Sequence, residues 1–169
     1  GPIQKDKSSF FFFGRRTYAD VFLFLASDTV AQKSTLYFYD LNLKTNFRVS
    51  DKDRIYFSGY FGNDHFGLAD AFGIQYGNVT ATTRWNRIIN EKVFSNTSFI
   101  YNNFNYQVKI GINNFDLKVN SILNNYSLKQ DYDYFMNSKN RLKVWGISTW
   151  YNVVPGDIES TATNIAKRG

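Results

Sequence analysis

The sequence predicts an all-β chain, antiparallel and up-and-down, of the kind that crosses a membrane as the wall of a β-barrel. Three observations lead there. First, the stretch YDLNLKTNFRV alternates strictly, with Tyr39, Leu41, Leu43, Thr45, Phe47 and Val49 at one set of positions and Asp40, Asn42, Lys44, Asn46 and Arg48 at the other. Successive side chains of an extended chain point opposite ways, so this is a strand with one apolar and one strongly polar face. Second, Lys5-Asp6-Lys7-Ser8, Asp51-Lys52-Asp53, Asn90-Glu91-Lys92 and Asn137-Ser138-Lys139-Asn140 have the length and chemistry of hairpin turns. Third, each interval between these clusters is too long for one strand and must hold a strand, a longer connection and a returning strand.

Reading inward from the turns (near 5–8, 51–53, 90–92 and 137–140) places strands at about 8–19, 36–50, 54–63, 76–89, 93–106, 119–135 and 141–152. The connections near 20–35, 64–75, 107–118 and 153–169 are richer in Gly, Asp and Asn and read as long loops at the opposite end. Short turns on one side and long loops on the other are the pattern of an outer-membrane barrel. Two further segments share the two-faced character. Val79, Ala81, Thr83 and Trp85 stand against Thr80, Thr82, Arg84 and Asn86, and Tyr126, Leu128, Tyr132 and Tyr134 against Ser127, Lys129, Asp131 and Asp133. Charge is cheap in a wet lumen, whereas Arg or Lys facing lipid costs about 2–4 kcal/mol at the midplane. The same alternation also describes a soluble antiparallel sheet with one wet face.

Phe10 to Phe13 break the alternation, so two of the four must turn to the polar side. Arg15 and Arg16 project to opposite sides if that strand continues, so they form no convergent anion clamp.

Composition narrows the class. The 169 residues suffice for one domain. The formal charge is +6, but the basic residues are scattered singly, which argues against a nucleic-acid partner. Aromatics make up 19%, with 17 Phe and 12 Tyr, residues that favour strands and membrane boundaries. There is no cysteine, hence no disulfide or thiolate metal site. The run VFLFLA, Val21 to Ala26, is far short of the roughly 20 residues of a spanning helix. The opening Gly1-Pro2-Ile3-Gln4 leads straight into a turn, as though the chain started within an element, either processed or incomplete.

The strings IQKDKSSFFFFGRRTYAD, LYFYDLNLKTNFRVSDKDRIYFSGYFGNDHFG and YGNVTATTRWNRIINEKVFSNTSFIY resemble the barrel domain of TonB-dependent outer-membrane receptors of the Bacteroidota type. The carrying motifs are KDKSS (Lys5 to Ser9), GRRTY (Gly14 to Tyr18), SDKDR (Ser50 to Arg54) and GNVTATTRWN (Gly77 to Asn86), in that order, within a resemblance spanning about residues 1–152. The resemblance implies a barrel of about 22 strands around an N-terminal plug, importing a nutrient with energy from the TonB complex. These strands supply only about eight crossings and no plug, so they would be the early part of such a barrel. Its expected location is the bacterial outer membrane. Its expected partners are outer-membrane lipid, the rest of its own barrel and plug, the TonB complex, and a surface lipoprotein or larger envelope complex. Two alternatives stay open: a structural barrel subunit of an envelope assembly without transport, and a soluble antiparallel glycan-binding module.

No catalytic, cofactor or metal constellation emerges, and the chain reads as a non-enzyme. His65, the sole histidine, lies in NDHFG and reads as a solvated loop residue. Asp131 and Asp133, near Lys129, read as balanced lumen charges before an acid pair. Gly59, Gly62, Gly67, Gly73 and Gly77 lack the strand-to-helix context of a phosphate loop and read as loop and bend glycines. Tyr56, Tyr60, Phe61, Trp85, Tyr101, Phe104 and Tyr106 read as packing or boundary aromatics before sugar platforms. Asn78, Asn96 and Asn125 match the glycosylation acceptor pattern by chance. The ligand-binding residues are not assignable from sequence.

Overall fold

The computed structural model describes residues 1–112 and 115–160. Its strands are β1 (Pro2–Gln4), β2 (Ser8–Arg16), β3 (Thr35–Arg48), β4 (Asp53–Leu68), β5 (Phe72–Asn90), β6 (Val93–Ile112), β7 (Phe115–Phe135) and β8 (Arg141–Ser160), with helices α1 (Ala19–Phe24) and α2 (Thr29–Lys33) between β2 and β3. The strands form one antiparallel sheet in sequence order, an up-and-down meander. The first and last strands are not paired with each other, so the sheet is open.

Three of the four predicted turns close by a shared device. At the β3–β4 turn the Ser50 hydroxyl accepts from the backbone N–H of Lys52 and Asp53 at 3.1 and 3.0 Å. Asn90 Oδ1 accepts from the N–H of Lys92 and Val93 at 2.9 and 3.0 Å, and Asn137 Oδ1 from those of Lys139 and Asn140 at 3.0 and 2.9 Å. A short polar side chain that satisfies the first turn amides is why Ser and Asn open hairpin turns.

The other end corrects the sequence reading. Among the described residues only 17–34 is a long connection there, and it holds both helices; the strand expected to reach residue 19 ends at Arg16. The supposed loop 64–75 is mostly ladder, because β4 runs to Leu68 and β5 starts at Phe72. Likewise β6 continues to Ile112 and β7 begins at Phe115, so 107–118 is strand except for 113–114, outside the described residues. Residues 153–160 complete β8, and the remainder of that expected loop, 161–169, lies outside the described residues. Pro155 and Gly156 fall where the β7–β8 register shifts between Asn120 and Ile122. Proline lacks an N–H and is accepted at a bulge on an edge strand.

Register assigns every strand residue to one of two faces, named here after Leu43 and Lys44. Leu43 lies opposite Gly59, Gly59 opposite Ala81, Ala81 opposite Tyr101, Tyr101 opposite Tyr126, and Tyr126 opposite Trp150. The apolar sets of β3, β5 and β7 foreseen from the sequence therefore share a single face. Phe10 and Phe12 join it, while Phe11 and Phe13 join the Lys44 face.

Neither face is covered. Among the described residues no hydrophobic side chain is buried. The surface is 12196 Å², against about 8,600 Å² for a compact monomer of 19.7 kDa. A single layer hides backbone groups in its ladders but leaves its apolar area to be covered by something else.

Candidate functional site

The surface that carries the chemistry is the sheet itself. On the Leu43 face, in the half nearer the short turns, lies an apolar band crossing β2 to β8: Phe10 and Phe12, Leu41 and Leu43, Phe57, Val79 and Ala81, Phe99, Leu128, then Leu142 and Val144. These side chains are open, with Phe12 62% exposed and Leu43 49%. Apart from Arg16, which ends β2 beside Tyr39, the charged residues this face carries on β2 to β8 lie at the ends: Asp53, Arg87, Lys109, Asp116, Lys118, Asp157 and Glu159.

Aromatics edge the band on both sides. Away from the turns stand Tyr39, Phe61, Tyr101, Tyr126 and Trp150, with the rings of Tyr39 and Phe61 5.8 Å apart and those of Tyr101 and Tyr126 5.1 Å apart. Toward the turns stand Phe47, Trp85, Tyr132 and Tyr134. Trp85 turns its indole Nε1 to Asp53 Oδ1 at 2.9 Å, and the Arg87 guanidinium sits 5.5 Å from its ring centroid. The hydroxyl of Ser50, the Trp85 indole and the Arg87 charge hold the Asp53 carboxyl below the usual carboxylate range.

The Lys44 face carries charge of both signs, within the strands at Asp40, Lys44, Arg84 and Lys129 and near the short turns at Asp131, Asp133 and Arg141. Asp40 is 7% exposed and bonds Arg15, Nη2 to Oδ2 at 2.8 Å. Asp133, equally enclosed, receives Arg141 Nη2 at 2.6 Å and Nε at 3.0 Å. Asp131 meets Lys129 at 3.3 Å and Lys143 at 4.0 Å. Neutral links fill the spaces: Thr80 donates to Asn102 at 2.7 Å, Arg84 to Ser98 at 3.3 Å, and Ser127 shares a 2.9 Å bond with Thr149. Asp131 and Asp133 are thus each tied to cations of their own.

Beyond the band the polarity inverts. The Leu43 face continues with Asn63, Gln75, Asn103, Asn105, Gln107, Asn120 and Asn124, joined by bonds such as Asn103 to Asn124 at 2.7 Å and Gln107 to Asn120 at 2.7 Å. The Lys44 face becomes apolar there, with Phe66, Phe72, Ile74, Phe104, Val108, Leu117 and Val119. No single-sequence window shows this inversion, because it emerges only when neighbouring strands are brought into register.

The remaining candidates fall into place. His65 belongs to β4, not to a loop; its ring stacks on Tyr37 at 5.2 Å. Gly59, Gly62 and Gly67 lie inside β4, and Gly73 and Gly77 inside β5. Over Gly62 lies the Tyr60 ring, and over Gly77 the Asn105 amide, where a Cβ would collide. The proposed sugar-stacking aromatics are divided: Phe61, Trp85 and Tyr101 on the Leu43 face, and Tyr56, Tyr60, Phe104 and Tyr106 on the other. Asn78, Asn96 and Asn125 sit in ladders on the Lys44 face. Among the described residues no three of His, Asp and Glu are grouped to hold a metal, and no helix is long and apolar enough to cross a membrane.

No family model, curated protein or solved structure matches the chain.

Proposed function

We propose that this chain is a stretch of the wall of an outer-membrane β-barrel of the TonB-dependent receptor kind, with the Leu43 face on lipid and the Lys44 face on the lumen through which a nutrient is imported. The observation that carries this reading is the exposed apolar band, free of charge over seven consecutive strands, backed by a face that carries charge within its strands at Asp40, Lys44, Arg84 and Lys129. Water on both sides would leave the band unexplained, since apolar patches of that extent are rare on soluble monomers. From Tyr39 to Phe47 the band runs about 27 Å along the strand. At a tilt of about 40° this is about 20 Å of height, near the roughly 25 Å band of such barrels. The aromatic edges match the two girdles expected where hydrocarbon meets headgroups. Wall geometry supports a barrel, and the motif order in the sequence supports the receptor kind. Under this reading the closing strands and the plug are partners of the chain.

The soluble glycan module is less well supported, because its aromatics are split between faces and offer no common platform.

Single cysteines at Leu43, Phe57 and Val144, and at Asn42, Ser58 and Lys143, test the assignment in native membranes. We expect a lipid-phase quencher to reach probes on the first set and not the second, and carbonate to leave the protein in the membrane. Equal quenching of both sets, or release by carbonate, overturns it.

A further inference from the structure

One cation on the Leu43 face stands at the level of the aromatic edge far from the turns, apart from the charges at the sheet ends. Arg16 lies directly opposite Tyr39. Below it opens a cleft of about 580 Å³ lined by Gly14, Arg16, Tyr18, Tyr37, Tyr39 and Leu41, with Arg15, tied to Asp40, also at its wall. The cleft exists because residue 14 has no side chain; a Cβ there would come 2.9 Å from Leu41 Cδ2.

The Arg16 guanidinium is 5.3 Å from the Tyr18 ring centroid and 6.0 Å from that of Tyr37. Stacking on ring faces fixes the plane of the fork and leaves its in-plane N–H donors available. Its carboxylate partner is Asp20, at 3.3 Å in an exposed pair, a weak bond that a second anion can share. Asp20 is the second residue of α1, whose Phe22 and Phe24 are 76% and 74% exposed.

We propose that this cleft holds a phosphorylated lipid of the outer membrane, its phosphate on the Arg16 fork and its first methylenes along Gly14 and Leu41. The inference rests on the lipid-facing assignment of the Leu43 face. Guanidinium and phosphate pair through two parallel N–H···O bonds, and a cation at the girdle meets the headgroup layer without entering hydrocarbon. Tyr37 and Tyr39 offer rings to the chains and hydroxyls to the headgroups. Charge complementarity and the continuity of the cleft with the apolar band choose a lipid over a free anion.

The test uses the full-length protein, extracted from its membrane and placed in nanodiscs containing either phosphorylated lipid A or its dephosphorylated form, with retained lipid counted by native mass spectrometry. The wild type is expected to retain several-fold more of the phosphorylated lipid. Arg16→Gln should lose that preference and Arg16→Lys keep part of it. Asp20→Asn should strengthen it, and Gly14→Leu should lower retention of both lipids. Free phosphate at millimolar concentration should not displace the bound lipid. If Arg16→Gln enters nanodiscs normally and keeps the preference, or if free phosphate displaces the lipid, this site is overturned while the lipid-facing wall stands. If no form of the protein enters nanodiscs, the wall assignment fails and takes the site with it.

Discussion

Trp85 donates its indole N–H to Asp53 across the β4–β5 boundary at 2.9 Å, fixing an aromatic edge of the apolar band to a turn carboxylate. Its neighbours make the pair pH-sensitive in one direction. The Asp53 carboxyl ionises below the usual range because Ser50, Trp85 and Arg87 favour its charged form. A carboxyl depressed in the folded state contributes stability above its unfolded value and loses it as pH falls through the folded one. The Trp85 environment should therefore stay constant at neutral pH and change only below about pH 4. Tryptophan emission of a protein retaining Trp85 alone, compared with the same protein carrying Asp53→Asn, checks this; the variant should show no acid transition there.

The band predicts an asymmetry between adjacent residues. Leu43→Arg should destabilise the protein in lipid vesicles by about 2–4 kcal/mol, whereas Asn42→Arg, one residue away on the charged face, should stay within about 0.5 kcal/mol. Urea midpoints of the full-length protein folded into vesicles measure both.

Asp133 is enclosed, and Arg141 supplies two of its hydrogen bonds. Removing the partner leaves a carboxylate with little access to water. Arg141 is itself half exposed, which lowers the cost, so Arg141→Ala should destabilise by about 1–2 kcal/mol. In a double-mutant cycle Asp133→Asn should recover most of that loss.

Ala69 turns the chain between β4 and β5 at φ 45°, a conformation in which a Cβ crowds the following carbonyl. Ala69→Gly removes the crowding and should stabilise the hairpin by about 1 kcal/mol. Hydrogen exchange of the amides flanking the turn should slow.

The half of the sheet near the short turns was legible because the period-two pattern is clear in β3, β5 and β7 there, even though Phe10 to Phe13 interrupt it in β2. Tyr39 to Val49 needs no neighbour to be recognised as two-faced. Serine and asparagine at Ser50, Asn90 and Asn137 mark turns through chemistry internal to a few residues. The far half was hidden by the inversion. Around Asn63-Asp64-His65 and Gln107-Val108-Lys109 the apolar positions change phase, and amides take the places the pattern reserves for hydrophobic residues. A stretch rich in Gly, Asp and Asn then looks like loop. Register supplies what composition withholds: Asn103 and Asn124 satisfy each other across strands. The Arg16 cleft was similarly invisible, since Tyr37, the second ring that flanks the guanidinium, is reached only across the α1–α2 connection.

The polarity inversion has a mechanical consequence for a wall in a bilayer. Moving the sheet two residues along its strands would carry Asn103 and Asn124 into hydrocarbon, or lift Leu43 and Phe57 into water, and the restoring force acts on every strand together. As the proposed membrane wall, the sheet would contain its own depth gauge: it would float at one height only, and its strands of 19 to 21 residues would stand well clear of the membrane on the side away from the short turns.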